Sequence, residues 1–187
     1  MFNNLVEEHE MKKTLLVMSM AVFSATGYAA SDNTVQFQGV VSTQTCNVNI
    51  NGNSASPIVL LPTVAASTLA TSGSVAGATK FTVNVTGCST GSDAASISTV
   101  FAGNNVTTNG NLGNTGTAEN VSIRLLDSDG STALAFTNGG TVTTTAFTKA
   151  AADTTASQDL TAEYYAEAAS PTAGTVAASA QYAIQYN

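Results

Sequence analysis

The stretch GTVAASAQYAIQYN, Gly174 to Asn187, alternates with a period of two. Val176, Ala178, Ala180, Tyr182, Ile184 and Tyr186 fall on one face of an extended chain, and Thr175, Ser179, Gln181 and Gln185 on the other. That period marks a half-buried β-strand, because successive side chains leave the backbone on opposite sides. Ala177 and Ala183 are the only exceptions. A helix would scatter Val176, Tyr182 and Tyr186 around its circumference and leave the clustering of β-formers unexplained. The pattern predicts a strand over residues 175–186, with no later segment to pair with it.

The same alternation recurs along the chain and makes it all-β. Short runs rich in Val, Ile, Thr, Phe and Tyr are separated by Gly, Asn, Ser and Asp clusters. The runs predict strands at residues 34–41, 46–50, 58–61, 80–86, 95–101, 121–127, 132–136, 141–147 and 158–167, besides the last one. Asn51-Gly52, Asp129-Gly130 and Asn138-Gly139 supply turns, since these pairs tolerate positive φ. Residues 62–70, PTVAASTLA, predict at most one short turn of helix. Residues 103–116, GNNVTTNGNLGNTG, form a loop by composition, read as a surface connection in preference to a binding loop. With 187 residues, 43% of them hydrophobic, the chain suits one domain with its own core.

The first part is not fold material. MKKTLLVMSMAVFSATGYAA sets two lysines before an apolar run from Leu15 to Phe23 and a small-x-small site at Gly27, Tyr28 and Ala29. These are the parts of a secretory signal peptide, with cleavage expected between Ala29 and Ala30. The apolar run is too short to span a bilayer, so no direct membrane insertion is expected. Residues 1–10 carry three acids ahead of the lysines, the wrong charge for a signal, which makes Met11 the expected start. His9, the one histidine, then lies outside the mature protein. Export also decides the cysteines. Cys46 and Cys88 both fall in the mature part, where an oxidising compartment favours a disulfide. Closing 42 residues, such a bridge stabilises by roughly 4 kcal/mol in the chain-entropy treatment.

Composition excludes several functions. The mature chain keeps Lys80, Arg124 and Lys149 against nine carboxylates, the twelve of the sequence less Glu7, Glu8 and Glu10. Nothing there neutralises a phosphate backbone, so nucleic acid and anionic membrane surfaces are poor partners. The mature part has no histidine, no G-x-S-x-G elbow and no phosphate-binding glycine pattern. DSDG, Asp127 to Gly130, places its glycine fourth, where a calcium loop needs it sixth, and reads as a hairpin turn. No catalytic residue, cofactor or metal is predicted, and a secreted hydrolase founders on the missing base.

A second strand-like segment stands ahead of the first cysteine. In residues 34–41, Val35, Phe37, Gly39 and Val41 share one face, with Gln36 and Gln38 opposite. A glycine inside a strand weakens it unless another group approaches closely there, so Gly39 reads as positional, the alternative being an ordinary N-terminal strand.

Taken with the two ends, the chain resembles the fimbrial subunits of the chaperone–usher class, the type 1-like major pilins of Gram-negative bacteria. The resemblance rests on the x-V-x-F-x-G-x-V extension at residues 34–41, Cys46, the KFTVNVTGC run ending at Cys88, and NVSIRLLDSDG at residues 120–130. Gly174, fourteenth from the end, and the penultimate Tyr186 complete it. It implies an incomplete immunoglobulin-like β-sandwich lacking its last strand, completed by a donor strand from another subunit. Under it, residues 1–29 are signal peptide, 30–45 a donor extension and 46–187 the pilin domain. Val35, Phe37, Gly39 and Val41 would enter a neighbour's groove, while Gly174, Val176, Tyr182, Ile184 and Tyr186 would line the acceptor edge and meet a periplasmic chaperone. The other implied partners are identical or related pilin subunits, joined head to tail, and an outer-membrane usher. The implied place is a fimbria on the bacterial surface, reached through the periplasm and supporting cell adhesion. A minor adaptor subunit would have the same two ends. A tip adhesin usually adds an N-terminal lectin domain and lacks the extension.

Overall fold

The computed structural model describes residues 46–90 and 93–187, all within one compact unit. The signal peptide, the Ala29–Ala30 cleavage position and the extension carrying Val35, Phe37, Gly39 and Val41 lie outside the described residues. Among the described residues nine strands build the unit: β1 (Asn47–Ile50), β2 (Val75–Thr86), β3 (Ala95–Gly103), β4 (Leu112–Gly113), β5 (Val121–Leu126), β6 (Thr141–Thr143), β7 (Phe147–Lys149), β8 (Ala156–Ala166) and β9 (Ala180–Tyr186). Among the described residues the one helical piece is a 3-10 turn, Ala66–Leu69, within the stretch expected to hold a short turn of helix.

Two sheets face each other. The first runs β1-β2-β8-β5-β4, with every neighbouring pair antiparallel. The second is centred on β3, which pairs with β9 along one side and with β6 and β7, lying in line, along the other. Period two explains how they meet. Phe81, Val83 and Val85 of β2, Leu160 and Ala162 of β8, and Ile123 and Leu125 of β5 are buried. They pack with Phe101 or Ile97 of β3. Each large apolar side chain removed from water contributes about 1.5–3 kcal/mol, which makes this layer the source of the sandwich's cohesion. The expected disulfide is present: Cys46 and Cys88, 4.2 Å apart at Cα, join the segment entering β1 to the end of β2. Neighbouring Val85 and Ile97 form a small core of their own with Cys88.

The structure departs from the sequence expectations wherever pairing is decided at a distance. β9 begins at Ala180 rather than at 175, because residues 174–177 leave the β3 ladder and bond to the 114–118 loop: Thr115 N–H donates to the Ala177 carbonyl at 2.8 Å and Ala118 N–H to the Thr175 carbonyl at 3.0 Å. Nor is the final strand without a partner, since β3 takes one of its edges over seven residue pairs, from Ile97 opposite Tyr186 to Gly103 opposite Ala180. Residues 132–136 form a single bridge, Leu126 to Ala133, rather than a strand. Residues 141–147 are interrupted at 144–146, and the two-residue β4 was not expected. DSDG is a tight turn, closed by Gly130 N–H donating to the Asp127 carbonyl at 2.9 Å, with Gly130 at φ +68°. Asp129 caps that turn by accepting from the Ser131 and Thr132 amides and the Thr132 hydroxyl. The Thr132 hydroxyl, then these amides, hold its carboxyl well below the usual carboxylate range.

Candidate functional site

An open cavity of about 710 Å³ runs into the sandwich where β9 and residues 54–61 stand apart. Its floor is the inner face of the first sheet, with Ile50, Phe81, Ala162, Ile123, Leu125 and Leu112 from all five strands, joined by Phe101 of β3. Tyr164 of β8 and residues 54, 56–61 and 176–182 line the rest, and no charged side chain does. Such a groove binds by burying apolar surface, not by pairing charge.

The 57–61 rim explains why the groove stays open. Val59 and Leu61 turn inward and pack on the core, while Ile58 and Leu60 point out at 81% and 85% exposure. This is strand alternation, as expected for 58–61, yet among the described residues no backbone hydrogen bond joins residues 56–64 to any other segment. Pro57 and Pro62 bracket the run. A proline withholds a ladder donor and marks an edge, so this pair of prolines was the sequence signal for a groove rim. Across the opening, β9 is hydrogen-bonded to β3 alone, and its second edge has no strand beside it among the described residues. The groove therefore offers an apolar floor between two runs of backbone whose outward donors and acceptors pair with no strand among the described residues. An extended chain laid there could satisfy both.

The residues expected on the acceptor edge divide. Val176 and Tyr182 line the groove, and the Tyr182 ring stands 6.5 Å from that of Phe101. Gly174 does not; with Val176 it lines a second cavity of about 420 Å³, beside Leu69, Val121 and Tyr164. Its lack of a side chain has a local cause: a Cβ there would sit 2.5 Å from the Ala118 amide nitrogen. Gly116 opposite is as tight, since its Cβ would strike the Thr175 carbonyl. Ile184 and Tyr186 lie away from the groove, packed on Val85, Cys88 and Ile97 at the disulfide end. Alternation placed all five on one side of the strand. It could not tell which length of strand lies over the opening.

The 103–116 loop is held down by one carboxylate. Glu167 accepts hydrogen bonds from Ser122 Oγ at 2.5 Å, Thr107 Oγ1 at 2.9 Å, Asn111 Nδ2 at 3.0 Å and Asn109 Nδ2 at 2.6 Å. Partial burial pushes this carboxyl up, but the four donors, Ser122 foremost, outweigh it and leave it below the ordinary value.

With this geometry in hand, relatives are informative. Residues 35–187 match the family described as fimbrial protein. The F17 fimbrial protein of Escherichia coli is 36% identical, over 89% of this chain and 94% of that one. The major fimbrial subunit SMF-1 of Stenotrophomonas maltophilia is 38% identical, over 84% and 94%. Among solved structures, a chain from a chaperone–usher pilus, solved to reveal the basis of rod uncoiling, superposes with TM-score 0.56 at 18% identity, covering 87% of this chain and all of that one. At that identity the likeness speaks for the fold.

Proposed function

The chain belongs to the fimbrial protein family, and from that premise we propose that its groove is the acceptor for the leading segment of a second subunit, so that subunits join head to tail into the shaft of a fimbria. The observation that carries this is the open apolar groove with two unladdered backbone rims. Strand addition suits such a site, and donor-strand complementation is the mode known for pilins: main-chain hydrogen bonds give affinity and alternate side chains fill the floor. Residues 34–41 have the matching pattern, with Val35, Phe37, Gly39 and Val41 on one face. Burying Val35, Phe37 and Val41 contributes about 5–9 kcal/mol before ordering costs. A contact between two different surfaces does not close on itself, which suits a filament.

An unfilled groove is an aggregation hazard, so a periplasmic chaperone would cover it first, along Val176 to Tyr182, before exchange at an outer-membrane usher. The place of action is then the cell surface, reached through the periplasm; among the described residues no helix is long and apolar enough to cross a membrane. The role is structural, and adhesion follows from presenting the fibre.

A synthetic peptide of residues 34–41, added to the domain lacking residues 30–43, tests the site. The expected result is a melting temperature that climbs with peptide concentration, as mass action requires of a ligand for the folded state. A peptide with Phe37→Asp should leave the melting temperature where it was, and an equal response to both peptides would overturn the proposal.

A further inference from the structure

The groove edge is one of two edges of the β3 sheet, and the other is built differently. β6 and β7 lie in line along β3, but out of register: Val100 faces Thr143, whereas Ile97 faces Phe147. Ser98 and Thr99 therefore oppose three residues, 144 to 146, which is a β-bulge. Thr144 N–H still donates to the Thr99 carbonyl at 2.9 Å, but the Thr99 N–H goes to the Thr144 hydroxyl at 3.0 Å instead of to a backbone carbonyl.

Thr145, at the centre of the bulge, has no backbone group left to offer. Its amide and its hydroxyl both donate to Asp127 Oδ2, at 2.8 Å each, and its carbonyl accepts from Gln158 Nε2 at 2.7 Å. Gln158 Oε1 also accepts from Thr144 Oγ1 at 3.0 Å. Asp127 and Gln158 come from the opposite sheet, the first just after β5 and the second on β8, and both are buried. Burying a carboxylate and an amide costs desolvation that an apolar pair would not, so stability alone does not account for their presence. Edge strands with an unbroken row of outward amides and carbonyls accept other strands, and bulges are one way of preventing it.

We propose that the Asp127–Thr145–Gln158 bridge closes the β6–β7 edge to strand addition, so that a subunit accepts an extended chain on the groove side alone. The excluded partner is an extended segment of a second copy of this chain. The proposal rests on the acceptor role of the groove: a polymer that grows by strand addition must leave one edge receptive and blunt the other, or it will branch and bundle.

Fibres assembled from the full chain test it by electron microscopy. Asp127→Ala and Gln158→Met should give several-fold more branch points and lateral bundles than the unaltered chain. Adding Thr145→Pro to Asp127→Ala should restore single filaments, because proline refuses a neighbouring strand even with the bridge gone. Filaments of Asp127→Ala and Gln158→Met as single as the unaltered ones would overturn the proposal. So would bundling that persists with Thr145→Pro, which would trace to instability. Failure of both single variants to yield folded subunit would assign the bridge to folding alone. A chain lacking residues 30–43 with its bridge intact checks the groove separately, because it should form no filaments whatever the other edge does.

Discussion

Glu167 does for the 103–116 loop what a strand ladder does elsewhere. Thr107, Asn109 and Asn111 reach it from the loop, and Ser122 from β5. Replacing it with alanine strands these donors, and hydrogen bonds to a charged group contribute about 1.5–3 kcal/mol each where they are well shielded. At this partly exposed site we expect a total loss of about 1–3 kcal/mol on Glu167→Ala, seen as a lower denaturant midpoint and faster amide exchange in the loop. Its pH dependence has a definite sign. The folded carboxyl lies below its ordinary value of 4.5, so its stabilisation is complete above that pH and is lost as pH falls through the lower folded value. The stability gap between the unaltered chain and Glu167→Gln should therefore be widest near neutrality and narrow below about pH 4.5. The sequence showed the loop's length and polarity, but not its anchor, since Glu167 is far from the loop in sequence.

The segment from Gly174 to Tyr186 works as two elements joined end to end. Residues 174–177 bond to the 114–118 loop of the first sheet, and β9 bonds to β3 of the second. The segment thus ties the two layers together along the open side of the sandwich. The junction depends on the close approach of Gly174 to Thr117 and Ala118 and of Gly116 to Thr175. Gly174→Val should force these segments apart, at a cost of about 1–3 kcal/mol typical of overpacking. Loss of amide-exchange protection at Ala118 and Thr115, with β9 still protected, is the expected pattern. Uniform loss across β9 would instead mean that the strand folds as one piece. Alternation named the inward residues of this segment correctly, because a period of two is local. Where the strand changes sheets is set by Thr115 and Ala118, some 60 residues earlier, as the separations of 58 and 62 in their neighbourhood record.

At the scale of the whole molecule, the apolar floor reaches across all five strands of the first sheet and remains open on one side. Under the proposed scheme this opening is finished by another chain, and the leading segment is the part of the sequence with the matching pattern. Deleting residues 30–43 should leave a subunit that is exported and bound by chaperone but cannot donate to the next. Fibres of normal length from that deletion, measured by electron microscopy, would contradict the scheme.

What the sequence by itself determined is everything carried by nearest neighbours: the all-β class, the inward face of the last strand, the turns at Asp129-Gly130 and elsewhere, and the Cys46–Cys88 bridge once export was inferred. Periodicity and turn chemistry are local, so they are legible without coordinates. The tertiary structure alone decided which backbone edges are used. Among the described residues it left 57–61 unladdered, gave β9 a single neighbour and folded the 144–146 bulge onto Asp127 and Gln158. Each of these depends on which distant segment occupies the space beside a strand, and a hydrogen bond across that space leaves no mark on the order of residues along either chain.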